Sequence, residues 1–294
     1  MQVVRKISLF GKVKNQLLNL FQFIFRMRRM YFGIEIIGFV AIGIAAGMLA
    51  GLLGIGGGIV TIPCLILTFH YLHIPPSMMM HLAIGTSLAS MVFNSLSSLY
   101  SHHRKKGVIF SVVKPMALGV IVGSFVGAYI AKLLPSHFLQ IFFGVFECLL
   151  GLRFLLPEAK IKKKRSMPGF FGLSGIALGV STLSTMLGIG GGLINVPVLT
   201  HYHVPMKKAI GTSSALSFLI SLTGAMFFLA MGIQDTHYPY TYGFIYIPAF
   251  IVISIVAFFA APWGVKLAHL LPTDILRRVF GVVLVLAGLS MIIG

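Results

Sequence analysis

Ten apolar runs, separated by short polar or basic breaks, fill the sequence from residue 34 onward. They lie at 34–53, 59–72, 82–100, 110–134 and 138–156, then, past a charged linker, at 169–187, 193–202, 209–231, 242–263 and 275–293. About 20 apolar residues cross a bilayer as a helix. Backbone in lipid must satisfy its own N–H and C=O groups, which the α-helix does within a single run. The fold class expected is an all-α polytopic membrane protein. Composition points the same way, with 57% hydrophobic and only 10% charged residues, where soluble domains carry about 25% charged. The net charge of +18 would suggest nucleic acid for a soluble chain. Here the basic residues sit between apolar runs and read as orientation signals, so no nucleic-acid partner is expected. Cys64 and Cys148 both lie inside apolar runs and make neither a disulfide framework nor a metal site.

The two halves of the chain repeat three landmarks in the same order. Gly54-Ile-Gly56-Gly57-Gly58-Ile-Val-Thr61-Ile-Pro63 answers Gly188-Ile-Gly190-Gly191-Gly192-Leu-Ile-Asn195-Val-Pro197. Ala83-Ile-Gly85-Thr86-Ser87 recurs unchanged at Ala209-Ile-Gly211-Thr212-Ser213, and Leu133-Leu-Pro135 answers Leu270-Leu-Pro272. This divides the chain into a basic N-terminal extension (1–31), a first repeat (32–157), a basic linker (158–168) and a second repeat (169–294). The extension has no small-residue cleavage site after its apolar patches, so it reads as an amphipathic helix on the inner membrane face rather than a signal peptide. Each repeat is expected to cross the membrane about four times, with glycine-broken or re-entrant helices at matching positions and the halves running parallel. The N-terminus, the loop 102–106, the linker and the C-terminus then share the cytoplasmic side of an inner membrane. That side holds most of the 23 Lys and Arg, leaving Lys132, Lys207, Lys208, Lys266, Arg277 and Arg278 on the other.

Four glycines in each five-residue cluster, 54–58 and 188–192, should unwind a helix, since each costs about 1 kcal/mol relative to alanine. Unwound backbone at membrane depth is tolerated only in protein or beside a polar cavity. Paired breaks at matching points of two repeats are the sequence pointer to a transporter's binding site. The helix starts after Gly58 and Gly192 offer free N–H groups and a dipole to an anion. Close helix packing is the alternative use of such glycines. A nucleotide loop is excluded, for Ile59 stands where a third fingerprint glycine belongs and no Lys-Ser/Thr follows. The candidate substrate-binding residues are therefore Gly56, Gly57, Gly58, Thr61, Gly85, Thr86, Ser87, Gly190, Gly191, Gly192, Asn195, Gly211, Thr212 and Ser213. The hydroxyls among them also have a purely structural use, bonding back to their own helix. His81 and Lys207 occupy matching positions ahead of the two Gly-Thr-Ser motifs and either line an anion-attracting vestibule or anchor the interface. Glu147 lies mid-run and is a candidate proton carrier, although its repeat partner is the apolar Leu284. His70/His73 and His201/His203 have metal-like spacing but no carboxylate or cysteine beside them, and no metal or cofactor is expected. No carboxylate pair or nucleophile–base grouping is visible, so the chain is not expected to be an enzyme.

These residues resemble the TauE/SafE sulfite exporter family. The resemblance rests on Gly51-Leu-Leu-Gly54-Ile-Gly-Gly-Gly58 with Pro63, its repeat at 188–197, and the doubled Gly-Thr-Ser motif, and it extends from about Gly38 to the C-terminus. It implies a membrane permease for sulfite, organosulfonates or related sulfur anions, often an exporter, using an ion gradient with a proton or cation as coupling partner. The motif residues carried over are Gly56, Gly57, Gly58, Pro63, Gly85, Thr86 and Ser87, with Gly190, Gly191, Gly192, Asn195, Pro197, Gly211, Thr212 and Ser213 in the second half. Thr61 stands opposite Asn195, so the half-sites are chemically unequal. The leading expectation is alternating-access transport of a small oxyanion. A passive anion channel and a non-transporting scaffold are the alternatives, and a homo-oligomer is compatible with either.

Overall fold

The computed structural model describes residues 33, 35–52, 56–156, 166–235, 238–267 and 273–293, with backbone alone over 273–280. The expectations for the 1–31 extension, for Gly54, for 158–165 and for the side chains of Arg277 and Arg278 fall outside these residues. Contacts divide the chain into Met1–Phe39 and Val40–Gly294. The first contributes Gly33 and the opening residues of one helix to the described set; the helical bundle is the second.

The first half contains α1 (Glu35–Leu52), α2 (Gly58–Tyr71), α3 (Pro76–Arg104), α4 (Phe110–Leu133) and α5 (Ser136–Leu155). The second contains α6 (Phe170–Met186), α7 (Gly192–His201), α8 (Met206–Gly232), α9 (Ile247–Leu267) and α10 (Thr273–Ile293). A two-stranded antiparallel hairpin, β1 (Thr241–Tyr242) and β2 (Ile245–Tyr246), precedes α9. Six helices, α1, α3, α4, α5, α8 and α9, are long and apolar enough to cross a membrane. Large apolar side chains cover the outside, among them Phe171 at 88% and Phe259 at 69% exposure. No water-soluble surface carries such a belt, and the all-α polytopic membrane fold stands.

Local chemistry sets the helix boundaries. Proline precedes or opens α3, α5 and α8 at Pro75-Pro76, Pro135 and Pro205, where its missing N–H costs nothing. Both short helices, α2 and α7, end in the same left-handed cap. His73 (φ 55°) and His203 (φ 61°) adopt the left-handed conformation. The following residues close the turn, with Ile74 N–H donating to Phe69 O and Val204 N–H to Leu199 O. Of the four histidines with metal-like spacing, His73 and His203 are thus helix-capping positions, and His70 and His201 lie in the last turns of α2 and α7. Among the described residues no three metal-type side chains come together.

Glycine ladders bring the helices into contact. On α4, side chains at Gly119, Gly123 and Gly127 would strike the backbone of α6 at Ser174, Leu178 and Thr182 in turn. On α1, Gly43, Gly47 and Gly51 meet α9 around Ile253, Ala257 and Ala261 in the same manner. With no hydrophobic drive between helices in lipid, such close approach supplies the packing energy. α5 crosses α10 at two glycine pairs: a side chain at Gly144 would lie 2.7 Å from Gly288 O, and one at Gly151 would lie 2.7 Å from Gly281 O.

The register of these contacts corrects the expected topology. Along α5 and α10 the partners run in opposite order, 144 with 288 and 151 with 281. Along α3 and α8 they do so again: Ser98 with Ser214, Ser95 with Ser221, and Leu88 against Gly224. Matching helices of the two halves are antiparallel, so the halves are inverted and do not run parallel. The α1–α9 and α4–α6 ladders, by contrast, are parallel. Since α1 and α3 therefore point the same way, α2 must return between them, and α1 with α2 forms a hairpin. The four net crossings expected per half become three traversals (α3, α4, α5) plus this hairpin. An odd count inverts the second half.

One face, face 1, carries the starts of α3 and α5 and the ends of α4, α8 and α10. Ser136 Oγ there accepts from Met80 N–H, and Lys132 pairs with Asp235 at 2.7 Å. Face 2 carries the ends of α3, α5 and α9 and the starts of α4, α6 and α8. Engineered cysteines replacing Lys105 and Lys208, in a background with Cys64 and Cys148 changed to serine, should label from the same face, and one replacing Asp235 from the other. Labelling of the Lys105 and Lys208 positions from opposite faces would restore the parallel arrangement.

Candidate functional site

Each hairpin reverses on its glycine cluster, and the two tips touch. Gly56 and Gly57 have φ of 80° and 82°, and Gly188 and Gly191 have 66° and 72°, all in the left-handed region that disfavours a Cβ. At the second tip Gly188 caps α6, with Gly188 N–H donating to Thr185 O and Ile189 N–H to Ser184 O. A side chain at Gly56 would lie 3.7 Å from Gly190 Cα, and one at Gly58 would strike Gly188 O. Ser87 Oγ donates to Gly188 O at 3.0 Å, tying α3 to the opposite tip.

From these tips α2 runs toward face 1, where Leu72 O accepts from Tyr238 Oη. α7 runs the other way, to the start of α8 beside Gly107. The N-termini of α2 and α7 therefore converge from opposite sides. Neither N-cap, Gly57 nor Gly191, supplies a side-chain cap. Val60 and Thr61 N–H return to Gly57 O, and Ile194 and Asn195 N–H to Gly191 O. The N–H groups of the first helical residues, Gly58 and Ile59, Gly192 and Leu193, are the ones helix geometry leaves without an intrahelical acceptor.

Polar side chains surround the second tip without partners. Asn195 is buried, with Nδ2 3.0 Å from where a Gly191 Cβ would stand, and Ser184 Oγ lies 3.2 Å from the same point. Ser217 Oγ lies 3.5 Å from the corresponding point on Gly190. Asn195 Nδ2, Ser184 Oγ, Ser217 Oγ and the neighbouring Thr185 Oγ1 all lack a hydrogen-bond partner. Buried polar atoms of this kind are rare and costly. Thr61, opposite Asn195 in the repeat, is instead satisfied by donating to Gly57 O at 3.1 Å.

The Gly-Thr-Ser motifs do two different jobs. Ser87 reaches the tips, but Gly85 and Thr86 hold the chain entering α9: Tyr246 N–H donates to Thr86 Oγ1 at 2.9 Å, and a side chain at Gly85 would strike Phe244 O. The second motif repeats both contacts on the chain entering α4. Ile109 N–H donates to Thr212 Oγ1 at 3.0 Å, and a side chain at Gly211 would strike Gly107 O. Each threonine therefore clamps the extended entry strand of the opposite half. Ser213 Oγ is buried without a partner.

The remaining candidates sit apart from this centre. His81 is buried, its Nε2 donates to Ala131 O at 3.0 Å, and its ring lies 5.2 Å from that of Phe244, so it does not face an open vestibule. Lys207 is exposed on face 2. Glu147 is fully buried on α5 between its two glycine crossings with α10, and neither carboxyl oxygen has a partner. Asn94, buried in α3 with both amide atoms unpartnered, was missed from the sequence. The signal was there, because an amide inside the run 82–100 poses the same problem that singled out Asn195.

Two inverted halves with hairpins meeting tip to tip inside a polytopic bundle define a membrane transporter. A family model described as Sulfite exporter TauE/SafE matches residues 39–291. The chain belongs to the TauE/SafE family. It is 32% identical over 257 residues to a probable membrane transporter protein of Haemophilus influenzae, covering 85% of this chain and 95% of that one. It is also 28% identical to the probable membrane transporter protein YunE of Bacillus subtilis, over 86% of this chain and 96% of the relative. Probable membrane transporter protein MJ0441 of Methanocaldococcus jannaschii is similar at 28%, over 86% and 94%. No solved structure matches.

Thr86→Val should destabilise the protein by about 1–3 kcal/mol, because it removes the hydroxyl that accepts from the buried Tyr246 N–H. Thr86→Ser should restore most of the loss. Thermal unfolding in detergent measures both, and equal stability of wild type and Thr86→Val would show that the clamp is idle.

Proposed function

We propose that this protein is a secondary-active transporter of small sulfur-containing oxyanions, sulfite or organosulfonates, which bind where the two glycine tips meet. The observation that carries this reading is the convergence of two uncapped helix N-termini at one buried point. Each N-terminus presents about half a positive charge. Two such ends pointing at each other in a low-dielectric interior repel unless an anion lies between them. Sulfite and sulfonate offer three oxygens to accept from the first N–H groups of α2 and α7, Asn195 Nδ2, Ser184 and Ser217. None of these donors carries a full charge, which suits a site that must release its ligand. The sulfur-anion class comes from the family's description as sulfite exporters.

Face 2 serves as the cytoplasmic face in this proposal. Among the described residues Arg104, Lys105, Lys106, Lys114, Arg153, Lys207, Lys208 and Lys266 belong to it, against Lys132 on face 1. The positive-inside rule reads that asymmetry directly. It places the end of α10 on the outer face, in place of the cytoplasmic C-terminus expected from parallel halves. A basic cytoplasmic rim also raises the local concentration of anions on the side from which an exporter loads. Rocking of the inverted halves about the tips supplies alternating access. Glu147, an unpartnered carboxyl within a membrane helix, is the candidate proton carrier for coupling.

The test is transport by purified protein in proteoliposomes on a solid-supported membrane, with sulfite, sulfoacetate, taurine, thiosulfate and chloride applied with and without a pH gradient. A saturable current for a sulfur anion is expected. Asn195→Ala and Ser184→Ala should each weaken its apparent affinity about tenfold or more, as loss of a hydrogen bond to a charged group costs about 1.5–3 kcal/mol. A current that never saturates would make the protein a channel. Silence across the panel and in radiotracer counterflow would favour the scaffold reading.

A further inference from the structure

The point where the tips converge is occupied by a side chain from outside both hairpins. Met91, on α3, is fully buried. Its Cε stands where a side chain on Gly56 would go and 2.5 Å from where one on Gly190 would begin, so a single methyl group fills the space between the first and second tips. Its Sδ lies 2.8 Å from the corresponding point on Gly58, the first residue of α2, and 3.7 Å from Ser87 Oγ. One thioether thus covers the N-terminus of α2 and separates it from Gly190, against which the unpartnered Ser217 lies.

The repeat makes this placement informative. Counting from the Gly-Thr-Ser motifs, Met91 corresponds to Ser217. The second half therefore places a small hydroxyl at the position where the first half extends a long apolar chain. A packing role alone would be served by a branched residue with one rotamer. Methionine has three rotatable bonds and no branching, and it leaves and refills an irregular space at little cost.

We propose that Met91 is a movable plug over the anion site and sets the size of anion the site admits. This rests on the reading that small sulfur oxyanions bind between the tips. With Met91 in place the α2 N-terminus is covered and the site is closed. When the thioether swings aside it uncovers the first N–H groups of α2 together with Ser217, and the volume of the displaced Cγ–Sδ–Cε arm is the volume the anion takes. A small trigonal or tetrahedral oxyanion fits that space. The aminoethyl or carboxymethyl arm of a larger sulfonate needs Met91 held further out.

The experiment pairs a substrate-independent readout with transport. A thiol introduced by Ser217→Cys, with Cys64 and Cys148 changed to serine, reports access to the site through its rate of labelling by a small methanethiosulfonate reagent. Met91→Ala should speed that labelling about tenfold, the equivalent of ~1.4 kcal/mol less closure. Met91→Leu, similar in volume but branched, should slow it. In proteoliposomes Met91→Ala should raise the rate for taurine or sulfoacetate relative to sulfite. Met91→Ser, the residue the second half carries, is the second opening variant should the alanine protein not fold. Labelling rates within twofold of wild type in the opening variants would overturn the plug. Faster labelling with an unchanged sulfonate-to-sulfite ratio would overturn its role in selectivity. A wild-type protein that carries no sulfur anion would refute the proposed substrate class, while the labelling arm still decides whether Met91 closes the site.

Discussion

Two helix N-termini facing one another deep in a membrane bundle are the constraint on which the rest of this structure depends. Their uncapped N–H groups have no water to turn to, and their dipoles repel. The arrangement persists because neither end is free to move away. α2 and α7 are each the returning arm of a hairpin whose outgoing arm is zipped by glycine contacts to a helix of the other half, α1 to α9 and α6 to α4. The entry strands to α9 and α4 are then pinned by Thr86 and Thr212. Every one of these restraints crosses from one half to the other. The halves gripping each other hold the tips together, alongside contacts within each half such as Gly57 against the Ala46 backbone.

That cross-gripping also bears on movement. A glycine ladder is a seam of backbone against backbone, and along α4–α6 the Ser174 and Ser181 hydroxyls also donate across it to Pro115 O and Gly119 O. The threonine clamps are single directional bonds to extended chain at the starts of α4 and α9. Together these contacts hold the halves against each other, and the proposed transport cycle needs one half to rotate about the other to change access at the centre.

The sequence disclosed the parts of this arrangement better than their relations. Paired glycine clusters, the helix starts after Gly58 and Gly192, and the amide of Asn195 were all legible, since each breaks a local rule that membrane helices otherwise keep. The direction of the halves was not. Hydropathy counts apolar runs but gives no sign to a short one, and the sign of α2 alone decides whether the halves run parallel or inverted. Thr86 and Thr212 show a second limit. They recur beside the glycine clusters and have substrate-binding chemistry, yet their partners are the amides of Tyr246 and Ile109, 160 and 103 residues away in the chain. Hydrogen bonds to distant backbone leave no trace in a motif. His73 and His203 show the same limit: their left-handed caps are conformational facts that histidine spacing does not encode.

The halves match in architecture and differ in the chemistry placed at equivalent positions. Thr61 faces Asn195, Met91 faces Ser217, Asn94 faces Ile220 and Glu147 faces Leu284. In an exact inverted repeat the two rocked states are exchanged by a two-fold rotation about an axis in the membrane plane and have equal energy in a symmetric bilayer. On the proposed alternating-access cycle each of these substitutions breaks that equality, because a group buried in one state is exposed to an access path in the other. The unpartnered amides and carboxyl favour the state that wets them, and the apolar partners favour the state that buries them. Such a bias fixes which state the empty protein rests in. It cannot fix the direction of net transport, for an equilibrium preference between states contributes nothing to a gradient around a closed cycle. On the proposed cycle direction comes from the coupled ion and the anion concentrations on the two faces, so the asymmetry of the site bears on how fast the protein loads rather than which way it pumps.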